Sequence, residues 1–217
     1  MVRKFYLISG HSSTGELVDV DKEALGETDN KNVLVLNLSF DDPKRLGERE
    51  VFFRDYFAST IKADNIAFIN PKSSEQAIGS MFRREIGLVY LPGGDTKTLL
   101  RNLKQKGLVQ HLQSFEGIIS GNSAGAYACC PEYLRIGHGP TEVISSLGLI
   151  KNTWIKAHYK KIFDNELLRL SESRIIYALE NSSALVFTPN LKRTPTQEDV
   201  IYKFIGKVLT FHKGKSF

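Results

Sequence analysis

The stretch "GIISGNSAGAYACC", residues 117–130, contains a serine in surroundings typical of a nucleophile. Ser123 stands between Gly121 and Gly125 in a G-x-S-x-G pattern, after a short apolar run and before a helix-forming segment. A sharp turn from strand to helix needs small residues on either side of the exposed side chain, because helix and strand approach each other closely there. The pattern predicts an activated hydroxyl and acyl-transfer chemistry. The alternative is a serine that caps a helix packed through small residues.

Backbone amides that can stabilise an oxyanion are predicted at two places. The N–H of Ala124 is the first, because a helix that begins there directs its N-terminal amides and the positive end of its dipole at Ser123. The segment "YLPGGDTKTLL" brings Gly93 or Gly94 to the carboxyl end of another strand, where one amide can donate to the same oxyanion. A tight strand-to-helix turn without a catalytic role is the alternative.

A general base must lie within hydrogen-bond reach of Ser123, and histidine is the usual choice because it titrates near neutrality. The chain has five histidines: His11, His111, His138, His158 and His212. We rank His158 first, because apolar and aromatic neighbours in "NTWIKAHYKKIFD" can shield its imidazole from water. His212, at the polar end of the last predicted strand pair, ranks second.

The elements that must position these residues alternate along the chain. Five short runs are apolar on both faces, as strands of a covered parallel sheet are, at 5–10, 32–38, 65–70, 88–94 and 117–121. Helix-like segments lie at 49–62, 73–87, 95–115 and 164–173. This alternation predicts a three-layer α/β fold with a mostly parallel sheet, helices on both faces, and ligands at the carboxyl ends of the strands.

The remaining segments are less regular. Residues 11–31 are polar and weakly periodic, with room for a short helix, and 142–150 reads as a strand or a short packed segment. Two strands at 174–180 and 184–187 are predicted to be joined by an "NSS" turn, and 200–217 to form a closing pair of strands. No repeat or linker divides the sequence, so a single domain over residues 1–217 is predicted.

Composition argues against several classes of partner. The net charge of +5 is spread in short pairs such as Lys160-Lys161, which favours a solvated surface over a nucleic-acid groove. No apolar stretch reaches the roughly 18 residues of a membrane helix, and the apolar run near the N-terminus is too short for a signal peptide. We therefore expect a cytoplasmic protein with neither a nucleic acid nor a membrane as its partner.

Neither a disulfide framework nor a metal site is predicted. Cys129 and Cys130 are the only cysteines and are adjacent in sequence, which disulfide geometry very rarely allows. We interpret both as small helix-packing side chains. Because no H-E-x-x-H or cysteine–histidine ligand spacing occurs, we expect no metal and no other cofactor.

Four blocks of this sequence together resemble the aspartyl dipeptidase (dipeptidase E) family of serine peptidases, whose larger relatives include cyanophycinase. The blocks are "YLPGGDTKTLL", "IISGNSAGA", "KAHY" and "YALENSSALVF", in the family's order and at similar spacing over most of residues 1–190. The resemblance implies a flavodoxin-like sheet similar to that of class I glutamine amidotransferases, with serine replacing cysteine.

The resemblance also implies residue roles. Ser123 matches the nucleophile, His158 the base, and Glu180 the acidic residue of the "LEN" turn. The oxyanion-hole positions match Gly93 or Gly94, together with Ala124.

Two departures from the family pattern limit this transfer. The family has an aspartate with a charge-relay role about 15 residues after the serine, whereas that offset here gives His138, with Glu132 and Glu142 the nearest acids. The third member of the triad therefore stays open between Glu180 and an acid near residues 132–142. A preference for N-terminal aspartate is implied for the substrate, but no arginine or lysine can be singled out to bind its carboxylate.

We predict a serine peptidase that hydrolyses short peptides through an acyl-enzyme on Ser123, with aspartate-first dipeptides as the implied substrates. A homo-oligomer is compatible with the sequence, which does not specify the oligomeric state. One alternative is an α/β-hydrolase esterase that uses Ser123, then Asp164 or Asp199, then His212. Another is an inert relative of the same fold that binds a small ligand or a partner.

Overall fold

The computed structural model describes residues 3–10, 17–137, 139–189, 200–212 and 215–216. The strands are β1 (Lys4–Ile8), β2 (Asn32–Leu36), β3 (Asn65–Ile69), β4 (Leu88–Leu91), β5 (Ile118–Asn122), β6 (Glu132–Arg135), β7 (Glu142–Ser145), β8 (Trp154–Lys156), β9 (Ile176–Leu179), β10 (Ala184–Pro189), β11 (Val200–Ile205), β12 (Val208–His212) and β13 (Lys215–Ser216). The helices are α1 (Val18–Gly26), α2 (Pro43–Asp55), α3 (Glu75–Phe82), α4 (Thr96–Gln105), α5 (Leu108–Ser114), α6 (Ala124–Cys129) and α7 (Asp164–Leu170), with a π-helical segment at Tyr56–Ile61 and a 3-10 turn at Lys161–Phe163.

The largest sheet has seven strands in the order β11-β10-β1-β5-β4-β2-β3. The five strands from β1 to β3 in this order run parallel, whereas β10 and β11 are antiparallel additions beside β1. If the parallel strands β2, β3, β4, β5 and β1 are renumbered 1 to 5 in that order, their positions across the sheet read 2-1-3-4-5. This is the flavodoxin-like order. The predicted α/β fold with a mostly parallel sheet is confirmed.

Helices cover both faces of this sheet because its strands are apolar on both sides. Tyr6 and Ile8 of β1 belong to a buried cluster that includes side chains from α1, α2 and the π-helical segment. Phe5 and Leu7, which point the other way, belong to a second cluster with α3, α4, α5 and α6. The observed layers are therefore helix, sheet and helix, as predicted.

Helix boundaries differ in detail from the predicted segments. The segment 95–115 is two helices, because Gly107 adopts a left-handed φ of 65° between α4 and α5. α2 begins six residues before the predicted segment, at a Pro43 capped by Asp42, whose side chain accepts a hydrogen bond from the Arg45 N–H. The short helix allowed for in residues 11–31 is α1.

A second sheet has four strands, in the order β13-β12-β9-β8. The two strands predicted on either side of the "NSS" turn are β9 and β10, but they belong to different sheets. The predicted closing pair is three strands, of which β11 joins the large sheet and β12 and β13 join the small one. The prediction of a closing pair was therefore wrong, since strand pairing depends on segments that are distant in sequence.

The carboxyl ends of β2 and β4 form a topological switch point. From β2 the chain continues to β3 on one side, and from β4 it continues to β5 on the other, which opens a crevice where ligands of such sheets bind. The loop after β4 carries the two candidate glycines, and Ser123 follows β5 next to it. Among the described residues, none of the helices combines the length and the apolar character that crossing a bilayer would require.

Candidate active site

Ser123 lies on a strained turn between β5 and α6. Its φ of 49° and ψ of −101° fall in a region that serine rarely occupies. A side-chain carbon on Gly121 would overlap the backbone of Gly125, and one on Gly125 would overlap the carbonyl oxygen of Leu91. The two glycines of the pattern therefore allow β5, α6 and β4 to approach closely enough to form this turn.

His158 contacts the serine directly. Its Nε2 lies 2.8 Å from the Oγ of Ser123. The residue follows β8 and adopts a left-handed φ of 54°. We expected apolar neighbours to shield the imidazole from water, but the side chain is exposed, because the ring extends from the end of the small sheet towards Ser123.

The end of β1 holds the histidine in place. The buried Oγ of Ser9 accepts a hydrogen bond from the His158 N–H at 2.8 Å and donates one to the Leu179 carbonyl at 2.9 Å. The ring lies against Gly10, where any side-chain carbon would overlap the ring carbon Cε1. Ser9 and Gly10 therefore determine where the backbone and the ring of His158 can lie.

The third group at the imidazole is Asn181. Its Oδ1 lies 2.7 Å from the His158 Nδ1. An amide oxygen at Nδ1 accepts the ring proton, which leaves Nε2 to accept the proton of the Ser123 hydroxyl. Being neutral, Asn181 can orient the ring but adds no negative charge beside it.

The structure does not bring Glu180 to the imidazole, although the sequence analysis named it as the third member. Its carboxylate forms an ion pair with Lys207 at 2.8 Å. The Glu180 N–H also bonds to the Lys207 carbonyl at 3.3 Å, so this residue still follows the strand pairing of the small sheet. The chain turns immediately after it, and the next residue, Asn181, reaches the ring.

The other candidate acids have different partners. Glu132 accepts hydrogen bonds from Trp154 at 3.0 Å and Arg174 at 2.9 Å. Glu142 forms an ion pair with Lys97 at 2.9 Å. Neither carboxylate therefore contacts His158.

The residues of the esterase alternative are likewise engaged elsewhere. His212 lies on β12 and lines a surface pocket with Trp154 and Arg174, away from the serine. Asp164 accepts a hydrogen bond from the Tyr159 hydroxyl at 2.7 Å. The histidine that meets Ser123 is therefore not the one that this alternative requires.

Four other candidate residues remain. His111, on α5, stacks on Phe82 with 4.7 Å between ring centres. His11, His138 and Asp199 lie outside the described residues.

The candidate oxyanion amides lie on either side of Ser123. A side-chain carbon on Gly93 would be 3.4 Å from the Ser123 Cβ, which shows how closely this loop approaches the nucleophile. Gly94 has a φ of 143°, and a side chain there would overlap Ser39 and Phe40. The Ala124 N–H precedes the first intrahelical hydrogen bond of α6 and has no partner within that helix.

The loop that carries Gly93 is fixed by its neighbours. The Ser39 hydroxyl donates to the Pro92 carbonyl at 3.1 Å, and the Ser39 carbonyl accepts from the Asp95 N–H at 3.3 Å. Asp95 also caps α4 by accepting from the Thr98 N–H at 2.7 Å. The amides near Ser123 are therefore preorganised, as oxyanion stabilisation requires.

Buried titratable groups lie behind the site. Burial raises the pKa of Asp21 to about 7, against the opposing effect of hydrogen bonds from Tyr56 and Ser120. The Tyr56 hydroxyl donates to this carboxyl group at 2.6 Å. Asp21 lies on α1, which packs against β5, the strand that ends one residue before Ser123.

Lys156, two residues before His158, is a second buried titratable group. Burial lowers its pKa to about 8. Its Nζ donates to the Ala157 carbonyl at 3.1 Å and lies 4.7 Å from the centre of the Phe163 ring. These contacts hold the ammonium group within the small sheet.

Neither the two cysteines nor a cluster of metal-binding side chains forms a further site among the described residues. Cys129 and Cys130 are free and buried, and burial raises the pKa of both thiols, which agrees with helix packing. Across the described ranges, no three His, Cys, Asp or Glu side chains cluster closely enough to hold a metal ion.

Comparison with known proteins identifies the family. The model of peptidase family S51 matches residues 52–192, more than half of the chain, and this range includes Gly93, Ser123, His158 and Asn181. The chain belongs to peptidase family S51. The family match confirms the resemblance to the dipeptidase E family that the four sequence blocks indicated.

Two solved structures share the S51 chain's fold. A peptidase from an acI-B1 Actinobacterium aligns with a TM-score of 0.65 at 17% identity, over 100% of this chain and 97% of the other. A candidate peptidase E protein from Listeria monocytogenes EGD-e aligns with a TM-score of 0.61 at 18% identity, over 95% of this chain and 100% of the other. No curated protein sequence matches the chain.

Sequence reasoning missed three residues of this S51 site. Ser9 and Gly10 carry a signal that could have been used, because a small polar residue followed by glycine at the carboxyl end of a predicted strand is typical of a ligand-facing edge. Asn181 carries a weaker signal, since asparagine is common in turns for conformational reasons alone.

Proposed function

We propose that this S51 family member is a serine peptidase that cleaves short peptides through an acyl-enzyme on Ser123. The observation that carries the proposal is the 2.8 Å contact between the Ser123 Oγ and the His158 Nε2 on a strained strand-to-helix turn. Backbone strain of this kind is concentrated at functional sites, where it can be part of the mechanism. The family match supports a peptidase independently of this geometry.

In the proposed first step, His158 takes the Ser123 proton as the oxygen attacks the carbonyl carbon of the scissile peptide bond. The amides of Ala124 and of Gly93 or Gly94 stabilise the negative oxygen of the tetrahedral intermediate. The imidazolium then donates its proton to the leaving amine, the C–N bond breaks, and the acyl group remains on Ser123.

In the proposed second step, water replaces the amine. His158 takes a proton from the water as it attacks the acyl-enzyme, and the imidazolium returns this proton to the Ser123 oxygen when the ester bond breaks. The products are the carboxylic acid of the N-terminal part and the free serine. Asn181 supports both steps by holding the tautomer in which Nε2 accepts protons.

The proposed substrates are short peptides, with dipeptides that begin with aspartate as the first to test. This preference comes from the dipeptidase E resemblance, and one structural neighbour is a candidate peptidase E protein. We propose the cytoplasm as the compartment, since two free, buried cysteines suit a reducing environment.

A panel of dipeptides with different first residues, assayed for release of the free amino acid, tests the proposal. We expect hydrolysis by the parent protein, with Asp-first peptides among the best substrates, and hydrolysis at least about 10⁴-fold slower in Ser123→Ala or His158→Ala. His212→Ala and His111→Ala are matched controls, because both rings lie away from the serine, and they should retain activity. Labelling by a fluorophosphonate should modify Ser123 in the parent protein.

The controls also separate the alternatives. Loss of activity in His212→Ala with retention in His158→Ala would support the esterase alternative instead. A parent protein that neither hydrolyses any member of the panel nor reacts with the fluorophosphonate would contradict the peptidase proposal and favour an inert binding protein.

A further inference from the structure

Arg49, on α2, reaches the loop after β4 that lies beside the nucleophile. Its Nη2 donates to the Gly93 carbonyl oxygen at 2.8 Å. The guanidinium carbon lies 5.1 Å from the centre of the Phe40 ring and 5.0 Å from that of Phe53, so two aromatic side chains hold it in place. Because Gly93 packs against Ser123, a single charged side chain connects α2 to the backbone of the active site.

No carboxylate of the described residues neutralises the charge of Arg49. Among the described residues, no carboxylate forms an ion pair with it. Its Nε is buried without a hydrogen-bond partner there, and burial lowers the pKa of the guanidinium. A half-buried cation without a counter-ion costs stability, so its contact with Gly93 suggests a role in the chemistry rather than in folding.

The bond to the Gly93 carbonyl determines the direction of the next amide. The described peptide bonds are all trans, and in a trans peptide the C=O of Gly93 and the N–H of Gly94 point in opposite directions. With the carbonyl held by Arg49, the Gly94 N–H points away from the guanidinium. A hydrogen bond from a cation to the carbonyl also polarises the peptide, which makes its N–H a stronger donor.

We propose that Arg49 is a positioning residue of acyl transfer, which orients the Gly93–Gly94 peptide so that the Gly94 N–H stabilises the oxyanion. The role rests on the proposed peptidase function. It differs from substrate binding, because the guanidinium acts through the backbone and its contribution appears only when the oxyanion forms. Its loss should therefore lower kcat and leave KM nearly unchanged.

The test compares Arg49→Met and Arg49→Lys with a matched control, Arg45→Met. Arg45 lies on the same helix, 3.8 Å from the centre of the same Phe40 ring, and in the described structure only Arg49 bonds to the Gly93 carbonyl. We expect Arg49→Met to lower kcat by about 10- to 100-fold, with KM within about twofold of the parent value. Arg49→Lys keeps the positive charge on a differently shaped donor, so its kcat should fall less than that of Arg49→Met. The kcat and KM of Arg45→Met should stay within about twofold of the parent values.

A peptide boronic acid gives the second readout, because its tetrahedral adduct on Ser123 presents an oxygen to the same amides. Its affinity should fall in Arg49→Met by about the same factor as kcat/KM. A folded Arg49→Met variant with parent kcat and parent boronate affinity would overturn the proposal. A raised KM with unchanged kcat would overturn it as well, since that result indicates substrate binding.

Thermal melts of each variant establish that the fold is intact. If Arg49→Met does not fold, Arg49→Lys decides, and parent values of kcat and boronate affinity in that variant would overturn the proposal. A parent protein without any hydrolysis or boronate binding overturns the peptidase function and this role together. An active parent with unaffected Arg49 variants overturns only the role of Arg49.

Discussion

The proposed nucleophile and the proposed base of this site are held in two different ways. Ser123 depends on a turn whose requirements lie within five residues, where Gly121 and Gly125 let two strands and a helix meet. His158 depends on Ser9, which is 149 positions away in sequence, and on a turn that follows another strand of the small sheet. The position of Ser123 is therefore specified by a local sequence pattern, whereas that of His158 is specified by contacts between distant segments.

Removal of either reacting group should have the largest effect. Ser123→Ala and His158→Ala should each lower kcat/KM by about 10⁴- to 10⁶-fold, because the two groups act in one step. The double variant should have about the same kcat/KM as the less active of the two single variants, measured with the best dipeptide of the panel. Losses that multiply in the double variant would show that the two groups act independently.

Crowding the nucleophile turn should damage the fold. In Gly125→Ala the added carbon overlaps the Leu91 carbonyl oxygen, so the free energy of unfolding should fall by about 3 kcal/mol or more. Gly47→Ala is the matched control, because nothing lies within 4 Å of a side chain there and the residue is within a helix. In urea denaturation, the free energy of unfolding of the Gly47→Ala control should rise by about 0.5–1 kcal/mol. Equal stability of Gly125→Ala and Gly47→Ala would contradict the close approach of Gly125 to Leu91.

Crowding the base should damage activity instead. In Gly10→Ala the added carbon overlaps the His158 ring, and displacement of a reacting group by about 1 Å costs about 100-fold in kcat. The exposed ring can move into solvent, so the free energy of unfolding should fall less than in Gly125→Ala. Steady-state kinetics measure the loss of kcat, and urea denaturation measures the loss of unfolding free energy. A larger loss of unfolding free energy in Gly10→Ala than in Gly125→Ala would contradict this expectation.

The buried carboxyl group behind β5 should make stability depend on pH. Because the pKa of Asp21 is raised to about 7, the folded state binds its proton more tightly than the unfolded state does. The stability that Asp21 contributes is present in acid and is lost as the pH rises through about 7. The free energy of unfolding of Asp21→Asn, measured by urea denaturation relative to the parent protein, should therefore be about 2 kcal/mol higher at pH 8 than at pH 5. A difference that does not change with pH would contradict this expectation.

The smallest effects are expected at the third group. Asn181→Ala should lower kcat by about 10-fold, because the imidazole loses its orienting partner. Asn181→Asp places a negative charge beside Nδ1, and the acidic limb of the kcat/KM profile should therefore move about one unit towards higher pH. Glu180→Gln is the control, since its carboxylate pairs with Lys207. Activity loss in Glu180→Gln that exceeds the loss in Asn181→Ala would contradict the assignment.

The sequence predicted the locally determined parts of the molecule. The apolar runs that became β1, β2, β4 and β5 are almost entirely buried, so their composition alone marks them as strands of a covered sheet, whereas only Ile69 of the edge strand β3 is buried. The role of Ser123 stays a prediction, but its turn follows from glycine spacing, which has a direct steric cause.

The parts that depend on tertiary pairing were not predictable in the same way. β8 has three residues and β6 has four, too short for a periodicity to be recognised. The assignment of Glu180 instead of Asn181 differs by one position, and nothing local decides where the chain leaves β9 and turns. Ser9 bonds to His158 only because β1 and β8 end near each other, and neither segment encodes that proximity alone.

The backbone of Ser123 has a consequence for attempts to improve the protein. Glycine tolerates its φ of 49° and ψ of −101°, so Ser123→Gly would relieve about 1–2 kcal/mol of conformational strain while removing the hydroxyl. Heat resistance and catalysis therefore favour different residues at this position. A laboratory selection that rewards only survival on heating would enrich variants without the proposed catalytic hydroxyl, so thermostable active variants require a screen that measures turnover in the same round.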